Sequence, residues 1–280
     1  GRAPEDCCPP AKAAALREWL LGAAAAGQAS QHEWREAEPE RAEGARVWDC
    51  RIAPLDEGGV GAAQLLLVAS DVTEQRAAER ARLQAAIAQR EVLVREVHHR
   101  IKNNLQGVAG LLQQNAARHP ELATVLSEAV GQVQAIAQVY GLQVGAAGPL
   151  EVAGLLRAIA ASVQRTFGRT IRVEQDGEVP HLLPEAESIP VALTVNELLT
   201  NAIKHGRGDD VRCRLVVQGQ GVAIRIASAG ALPPGFDLAQ VRGGVSGLGL
   251  VRALLPRRSS NLSLATQGDV VVAELELRPP

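Results

Sequence analysis

The residues with the clearest chemical potential lie in one run, Arg95-Glu96-Val97-His98-His99-Arg100-Ile101-Lys102-Asn103-Asn104-Leu105-Gln106. A solvent-exposed imidazole titrates near ~6.5, so a large neutral fraction can act as a nucleophile at neutral pH. Cations and amides around it suit an incoming anion such as a phosphoryl group. Helix phase decides which histidine is placed for this. Apolar residues recur at Leu93, Val97, Ile101, Leu105, Val108 and Leu112, at intervals of 4, 4, 4, 3 and 4, which predicts an amphipathic helix. With Val97 at zero and about 100° per residue, the stripe centres near about 25°, His98 falls at about 100° and His99 at about 200°. His98 is therefore on the flank of the stripe, and His99 is almost opposite the core. Arg95, Lys102, Asn103 and Gln106 are the i−4, i+3, i+4 and i+7 neighbours of His99, positions that meet on a helix surface. Glu96, one turn back, is a further orienting or basic group. The same run also reads as an ordinary solvated helix face. Adjacent histidines point about 100° apart, which disfavours a metal site.

A second run is Asn196-Glu197-Leu198-Leu199-Thr200-Asn201-Ala202-Ile203-Lys204-His205. Glu197 and Asn201 are i and i+4 and project from one helix face, where a carboxylate and an amide oxygen could serve Mg²⁺ and its waters. Lys204, three residues further on, could reach a phosphate. The polar face of an amphipathic helix is the plainer account of the same spacing. Downstream, Gly243-Gly244-Val245-Ser246-Gly247-Leu248-Gly249-Leu250-Val251 would by itself be only a flexible loop.

The elements that must position these groups follow from pattern. Lys12 to Ala25 reads as a helix, and Val47 to Pro54 and Ala62 to Ser70 as strands, with a turn signal at Asp56-Glu57-Gly58-Gly59. Thr73 is a plausible N-cap for the long helix, with Glu74 in its first turn. Pro120 breaks that helix. A second one carries Leu122, Leu126, Ala129, Val133, Ile136 and Tyr140 at heptad intervals of 4, 3, 4, 3 and 4. Two such helices form a hairpin with one oily face, and two hairpins pairing into a four-helix bundle would bury it, so the pattern implies a homodimer. After a linker at Gly145 to Gly148 come a helix to Phe167, a strand Thr170 to Gln175 and a helix Ile189 to His205. A strand pair, Val211 to Gln218 and Val222 to Ser228, follows. Then come a Gly/Pro-rich loop from Ala229 to Ser246, a short helix Gly247 to Leu255 and a closing hairpin, Leu262 to Thr266 with Val270 to Leu277. This order predicts an α+β sandwich with helices on one face of a mixed sheet.

Composition bounds the rest. The 280 residues carry 29 Lys+Arg against 31 Asp+Glu, a net charge of −2, which excludes nucleic-acid binding by bulk positive charge. A 46% apolar content is that of a folded chain, and only 2% is aromatic, so the core is aliphatic. No apolar run reaches the roughly 18–20 residues of a membrane span, and no secretory signal is present. The four cysteines have neither framework nor zinc-finger spacing, which points to reduced, cytoplasmic thiols without a role. The chain begins at Gly1 and contains no Met, the expectation for a fragment of something longer whose anchor could lie upstream.

The first run resembles the phosphoacceptor box of sensor histidine kinases of the H-R-x-K-N subgroup, in which the His directly before Arg accepts the phosphate; here that is His99. Lys102 and Asn103 complete the box, and Arg100 stands where the commoner subgroup has an acidic residue. The second run resembles the N box of the GHKL ATPases, in which the Asn at Asn201 ligates Mg²⁺ and the Glu at Glu197 acts near the nucleophile. Residues 243–251 resemble the second glycine box, where backbone and a helix N-terminus face a triphosphate. The resemblance implies an ATP and Mg²⁺ site drawing on Asn201, Lys204, His205, Ser228, Gly230, Gly244, Gly247, Leu248 and Gly249 under a lid of residues 229–246. One departure stands out. The first glycine box, Ile226 to Asp237, has Ala227 or Ser228 where the family has an adenine-reading Asp. Val47 to Asp56, Gln64 to Ser70 and Asp71-Val72-Thr73-Glu74 resemble the last strands and exit of a PAS sensor domain.

The organisation expected is a PAS-like segment at 1–73, a signalling helix with a dimerising phosphoacceptor hairpin at 74–146, and a GHKL-type domain at 147–280. The activity implied is autophosphorylation of His99 from Mg-ATP, then transfer to an Asp of a response regulator. A non-catalytic dimeric scaffold with a degenerate pocket is the rival reading. A Ser/Thr kinase sharing the pocket would not need the phosphoacceptor helix.

Overall fold

The computed structural model describes residues 10–36, 45–55, 64–145, 149–177, 181–208, 210–218, 221–241, 243–244, 247–256 and 259–278. Two compact units result, Gly1–Gln89 and Arg90–Pro280.

In the first unit, helix α1 (Pro10–Ala26) precedes a three-stranded antiparallel sheet in the order β1 (Ser30–Glu36), β2 (Arg46–Leu55), β3 (Gln64–Asp71). Strand β1, Ser-Gln-His-Glu-Trp-Arg-Glu, has no apolar alternation to betray it. Cross-strand pairing holds it, with Trp34 opposite Trp48, and Trp19 Nε1 donates to Ser30 Oγ at 2.9 Å. The expected turn at 56–59 lies outside the described residues. Helix α2 (Thr73–Arg118) starts at the anticipated residue, but the capping side chain is Asp71, which accepts from the Thr73 N–H at 3.0 Å. The Thr73 hydroxyl instead accepts from the Val47 N–H at 2.9 Å and ties the helix to β2.

In the second unit, α2 ends before a 3-10 turn (Pro120–Leu122), and α3 (Ala123–Gly145) follows. Then come β4 (Leu150–Glu151), α4 (Val152–Phe167), β5 (Thr170–Asp176), β6 (Leu182–Leu183) and α5 (Glu185–His205). The chain closes with β7 (Asp210–Gln218), β8 (Gly221–Ala229), a 3-10 turn (Leu238–Gln240), α6 (Gly247–Leu254), β9 (Ser260–Gln267) and β10 (Val270–Leu277). The sheet order is β5-β7-β8-β10-β9, parallel between β5 and β7 and antiparallel elsewhere.

Period-two patterning makes the sheet one-sided. Val211, Cys213 and Leu215 of β7 and Ala273, Leu275 and Leu277 of β10 point into the core. On the opposite face Arg225 pairs with Glu274 at 2.8 Å, and Arg214 with Asp176 at 2.7 Å. The Cys213 thiol is pushed up to about 12 by burial and is inert.

Helix α4 buries Leu155, Leu156, Ile159, Ala160 and Val163, a 3–4 stripe. It ends at Gly168, whose left-handed φ of 68° lets its N–H close on Gln164 O at 2.8 Å. Helix α5 begins one turn earlier than the sequence pattern places it. Pro190 sits inside the helix, past its first turn, and leaves one backbone hydrogen bond unmade there. Glu185 and Glu187 occupy the first turn, as the helix dipole favours.

Candidate functional site

The two histidines of α2 have different surroundings. His98 is half-buried, its ring 5.5 Å from that of Tyr140 on α3. His98 Nδ1 is shielded from solvent without a hydrogen-bond partner among the described residues. His99 is exposed, with Asn103 Nδ2 3.4 Å from its Nδ1. A side-chain amide offers either a donor or an acceptor on rotation, so Asn103 can complement either imidazole tautomer. Glu96 is taken by Arg100 at 2.7 Å, and that hydrogen bond and charge hold its carboxyl below the usual carboxylate range. As an engaged, weakly basic carboxylate it is a poor general base.

The packed face of α2 differs from the one expected. His98, Ile101, Lys102, Leu105, Ala109, Leu112 and Ala116 are the partly or fully buried positions from 98 to 116, centred about 90° from Val97. His98 is thus on the packed face itself, not its flank. The Lys102 side chain lies along Gly141 of α3, where an added Cβ would be 3.3 Å from its Cδ and Cε. It turns toward α3 and away from His99. Leu93, Val97, Val108 and Leu111 remain exposed, within about 60° of one another. The apolar stripe therefore serves two faces, and only one is covered in a single chain.

The second run splits between two environments. Asn201, His205, Leu198 and Ala202 line a cavity of about 520 Å³ with Ser228, Gly247, Leu248 and the lid residues Leu232, Pro233 and Phe236. Its floor is apolar, formed by Ile226, Leu264, Val271 and Ala273. Gly230, Gly244 and Gly249 do not line it. Gly230 adopts φ 148° and donates its N–H to Asp269 O at 2.8 Å, which turns the chain into the lid. Val245 and Ser246 of the glycine-rich stretch lie outside the described residues.

Glu197 and Lys204 face α3 instead. Gln132 Nε2 donates to Glu197 Oε1 at 3.2 Å, and Lys204 Nζ donates to Glu128 Oε1 at 3.2 Å. Gly131 approaches so closely that a Cβ there would lie 3.3 Å from Asn196 Nδ2. The structure thus brings Asn201, His205, Ser228, Gly247 and Leu248 together at the cavity, turns Lys204 away to Glu128, and ties the Glu197 carboxyl both to Gln132 and to the Gly247 backbone amide. Gln132 and Glu128, 65 and 76 residues from their partners, carry no local sequence signal. Neither does Arg252 of α6, whose Nη1 donates to Ala239 O at 2.6 Å and to Val241 O, pinning the lid's short turn.

Burial pushes the Glu197 carboxyl, only 4% exposed, above its ordinary value of 4.5. The Glu128 charge adds to this, while the Gln132 hydrogen bond, the Lys204 charge and the Gly247 backbone amide pull the other way. A raised pKa means the fold favours the protonated form. Its contribution is full below 4.5 and is lost as pH rises through the raised value. Glu197→Gln is therefore expected to raise the thermal midpoint near pH 7 and leave it unchanged near pH 4. A lower midpoint near pH 7 would show that Gln132 and Lys204 stabilise the anion outright.

Comparison with known proteins comes to the same region. Residues 96–165 match the family described as histidine kinase. The chain is 32% identical over 162 residues to the sensor histidine kinase PdtaS of Mycobacterium tuberculosis, covering 55% of this chain and 30% of that protein. The PdtaS of Mycolicibacterium smegmatis matches equally, with 31% of its length covered. Among solved structures, the histidine kinase domain of the blue-light-activated kinase of Erythrobacter litoralis aligns with a TM-score of 0.47 at 20% identity, covering 68% of this chain and 94% of that one. The family and relatives support a histidine kinase, a transferase. The chain spans about a third of the length of these curated relatives. No helix among the described residues is long and apolar enough to cross a membrane.

Proposed function

We propose that the chain is the kinase portion of a two-component sensor, of the H-R-x-K-N subgroup with a GHKL-type nucleotide domain, and that it phosphorylates His99 from Mg-ATP. The observation that carries this is the contrast between the neighbouring histidines: His98 is packed against Tyr140, and His99 is exposed on the outer face of α2. The domain reading is a PAS-like segment at 1–73, the helical hairpin at 74–146 and the nucleotide domain at 147–280.

In the reaction a lone pair on a His99 ring nitrogen forms the N–P bond as the bond from the γ-phosphorus to the β,γ-bridging oxygen breaks, and ADP leaves. Asn103, beside Nδ1, orients the ring. The base would rest on the floor of Ile226, Leu264 and Ala273, with the triphosphate toward the backbone at Gly247 and Leu248, where α6 begins. No cluster of three or more His, Cys, Asp or Glu among the described residues makes a metal cage. The Asn201 amide oxygen instead fits a Mg²⁺ that keeps phosphate and water ligands. Bound there, Mg²⁺ supplies neutralisation of phosphate charge. Glu197 and Lys204 would need to leave Gln132 and Glu128 to act at this centre. The receiving partner is a response regulator's receiver domain, through an Asp.

Incubation with γ-labelled ATP and Mg²⁺ tests the reading. Acid-labile label on the chain is expected; acid-stable label would indicate a hydroxyl acceptor. A non-catalytic scaffold is favoured by one feature, that the described lining of the cavity includes no carboxylate. It predicts no label.

The uncovered stripe on α2 supports a homodimer through the hairpin. Leu111 is 62% exposed and Val125 of α3 67%, so Asp at either leaves the single chain unstrained but would be buried in a bundle. The double substitution Leu111→Asp, Val125→Asp is expected to convert a dimer to a monomer in light scattering, because unpaired buried charge is strongly unfavourable. A monomeric unmutated chain would end the bundle proposal.

A further inference from the structure

Strand β8 places one polar side chain in the wall of the cavity. Ile226 and Ser228 share its inward face and line the cavity; Ala227 points the other way and does not. Strand register thus puts Ser228, not Ala227, at the cavity wall. The neighbouring strands contribute only Leu264, Val271 and Ala273. Ser228 is 8% exposed, and its hydroxyl donates no hydrogen bond to a described residue. Its position is held from behind by Gly206, where an added Cβ would stand 3.2 Å from the Ser228 Cβ and 2.3 Å from the Ala202 carbonyl oxygen. Its hydroxyl opens into the cavity and stays available to a bound ligand.

We infer that Ser228 reads the base edge of the bound nucleotide, and that the cavity accepts guanine as well as adenine nucleoside triphosphates. The inference rests on the nucleotide-site reading above and names its substrate class. His205, the other polar side chain of the lining besides the proposed magnesium ligand Asn201, shares the property that matters. A hydroxyl and an imidazole can each present either a donor or an acceptor. Adenine carries an amino donor at C6 with an acceptor at N1; guanine carries a carbonyl acceptor with an N1–H donor. A carboxylate can only accept; facing the C6 substituent it would pair with the adenine amino group and repel the guanine carbonyl. No carboxylate is in the described lining. Asp237 spends its oxygens on the Ala239 N–H at 2.8 Å and Gln240 Nε2 at 3.2 Å. The Glu197 carboxyl is engaged by Gln132 and by the Gly247 backbone amide. The Ser228 hydroxyl rotates to match either purine.

Calorimetric titration of the full chain with Mg-ATP and Mg-GTP tests this. The two dissociation constants are expected to lie within about tenfold of each other. Ser228→Asp should widen the ratio in favour of ATP by about 10- to 100-fold, the effect of a charge-assisted hydrogen bond at 1.4 kcal/mol per decade. Ser228→Ala, the variant least able to disturb the fold, should weaken both nucleotides by a similar several-fold factor. ATP favoured more than about 100-fold by the unmutated chain would overturn the inference and leave the kinase reading standing. So would a Ser228→Ala protein that binds both nucleotides as before, or a folded Ser228→Asp protein with an unchanged ratio. Binding of neither nucleotide at millimolar concentration would overturn the nucleotide-site reading itself.

Discussion

Replacing His99 with Gln is expected to reduce acid-labile label to background, while His98→Gln retains label to within about tenfold. Gln keeps a polar, helix-compatible side chain at an exposed position, so α2 should be undisturbed. What it removes is the only ring nitrogen in this stretch that faces away from α3. At His98 the consequences differ in kind. That ring packs on Tyr140, and an aromatic pair of this type contributes about 0.5–1.5 kcal/mol beyond its area. His98→Gln should therefore lower the thermal midpoint by a few degrees, at roughly 2–4 °C per kcal/mol for a unit of this size. His99→Gln should not. Measuring label and midpoint on both variants separates chemistry from packing. Label that survives loss of His99 and vanishes with loss of His98 would place the acceptor on the packed face and contradict the helix phase.

That α2 is amphipathic was legible because a helix declares an apolar side through a period, and the period needs only local sequence; which part of that side packs within the chain was not. What the stripe could not show is that it is shared. Its flank from His98 to Ala116 packs within the chain, and the remainder around Val97 and Leu111 stays open. Residues spaced for one oily face were in fact spaced for two. The same limit explains α3. Its heptad stripe is visible, but Ala135 and Val139 also enter the core beneath α4 and α5, a use no periodicity announces. Glu197 and Asn201 share a helix face by spacing, and the structure still separates them, because Gln132 and Glu128 lie on a different element and meet α5 only after folding. Strand β1 was missed for the opposite reason: its side chains are polar and its existence depends on pairing with β2. The five-stranded sheet was readable almost throughout, since its inward faces alternate with charged residues that pair across the outer surface.

Asn201→Asp is expected to abolish phosphorylation with the fold intact. The exchange is isosteric, and Asn201 is only partly buried at the cavity wall, so α5 has no reason to shift. The change is one unit of negative charge beside the place proposed for the triphosphate. Two like charges about 4 Å apart at an effective dielectric constant of about 20 repel by roughly 4 kcal/mol, which corresponds to a loss on the order of 10³-fold in affinity. A carboxylate can also serve Mg²⁺, and that would offset part of the repulsion, so the companion substitution Asn201→Ala is needed. It removes the proposed oxygen ligand without adding charge, and it should weaken Mg-dependent nucleotide binding by a smaller factor while leaving metal-free binding almost untouched. The pair makes a pattern that a merely structural residue would not produce: Asp worse than Ala for ATP, Ala selective for the magnesium-dependent part, and circular dichroism and thermal midpoint unchanged in both. If Asn201→Asp binds Mg-ATP as tightly as the unmutated chain, the triphosphate does not lie at this wall of the cavity. The polar group nearest it would then have to be sought at Lys204, released from Glu128.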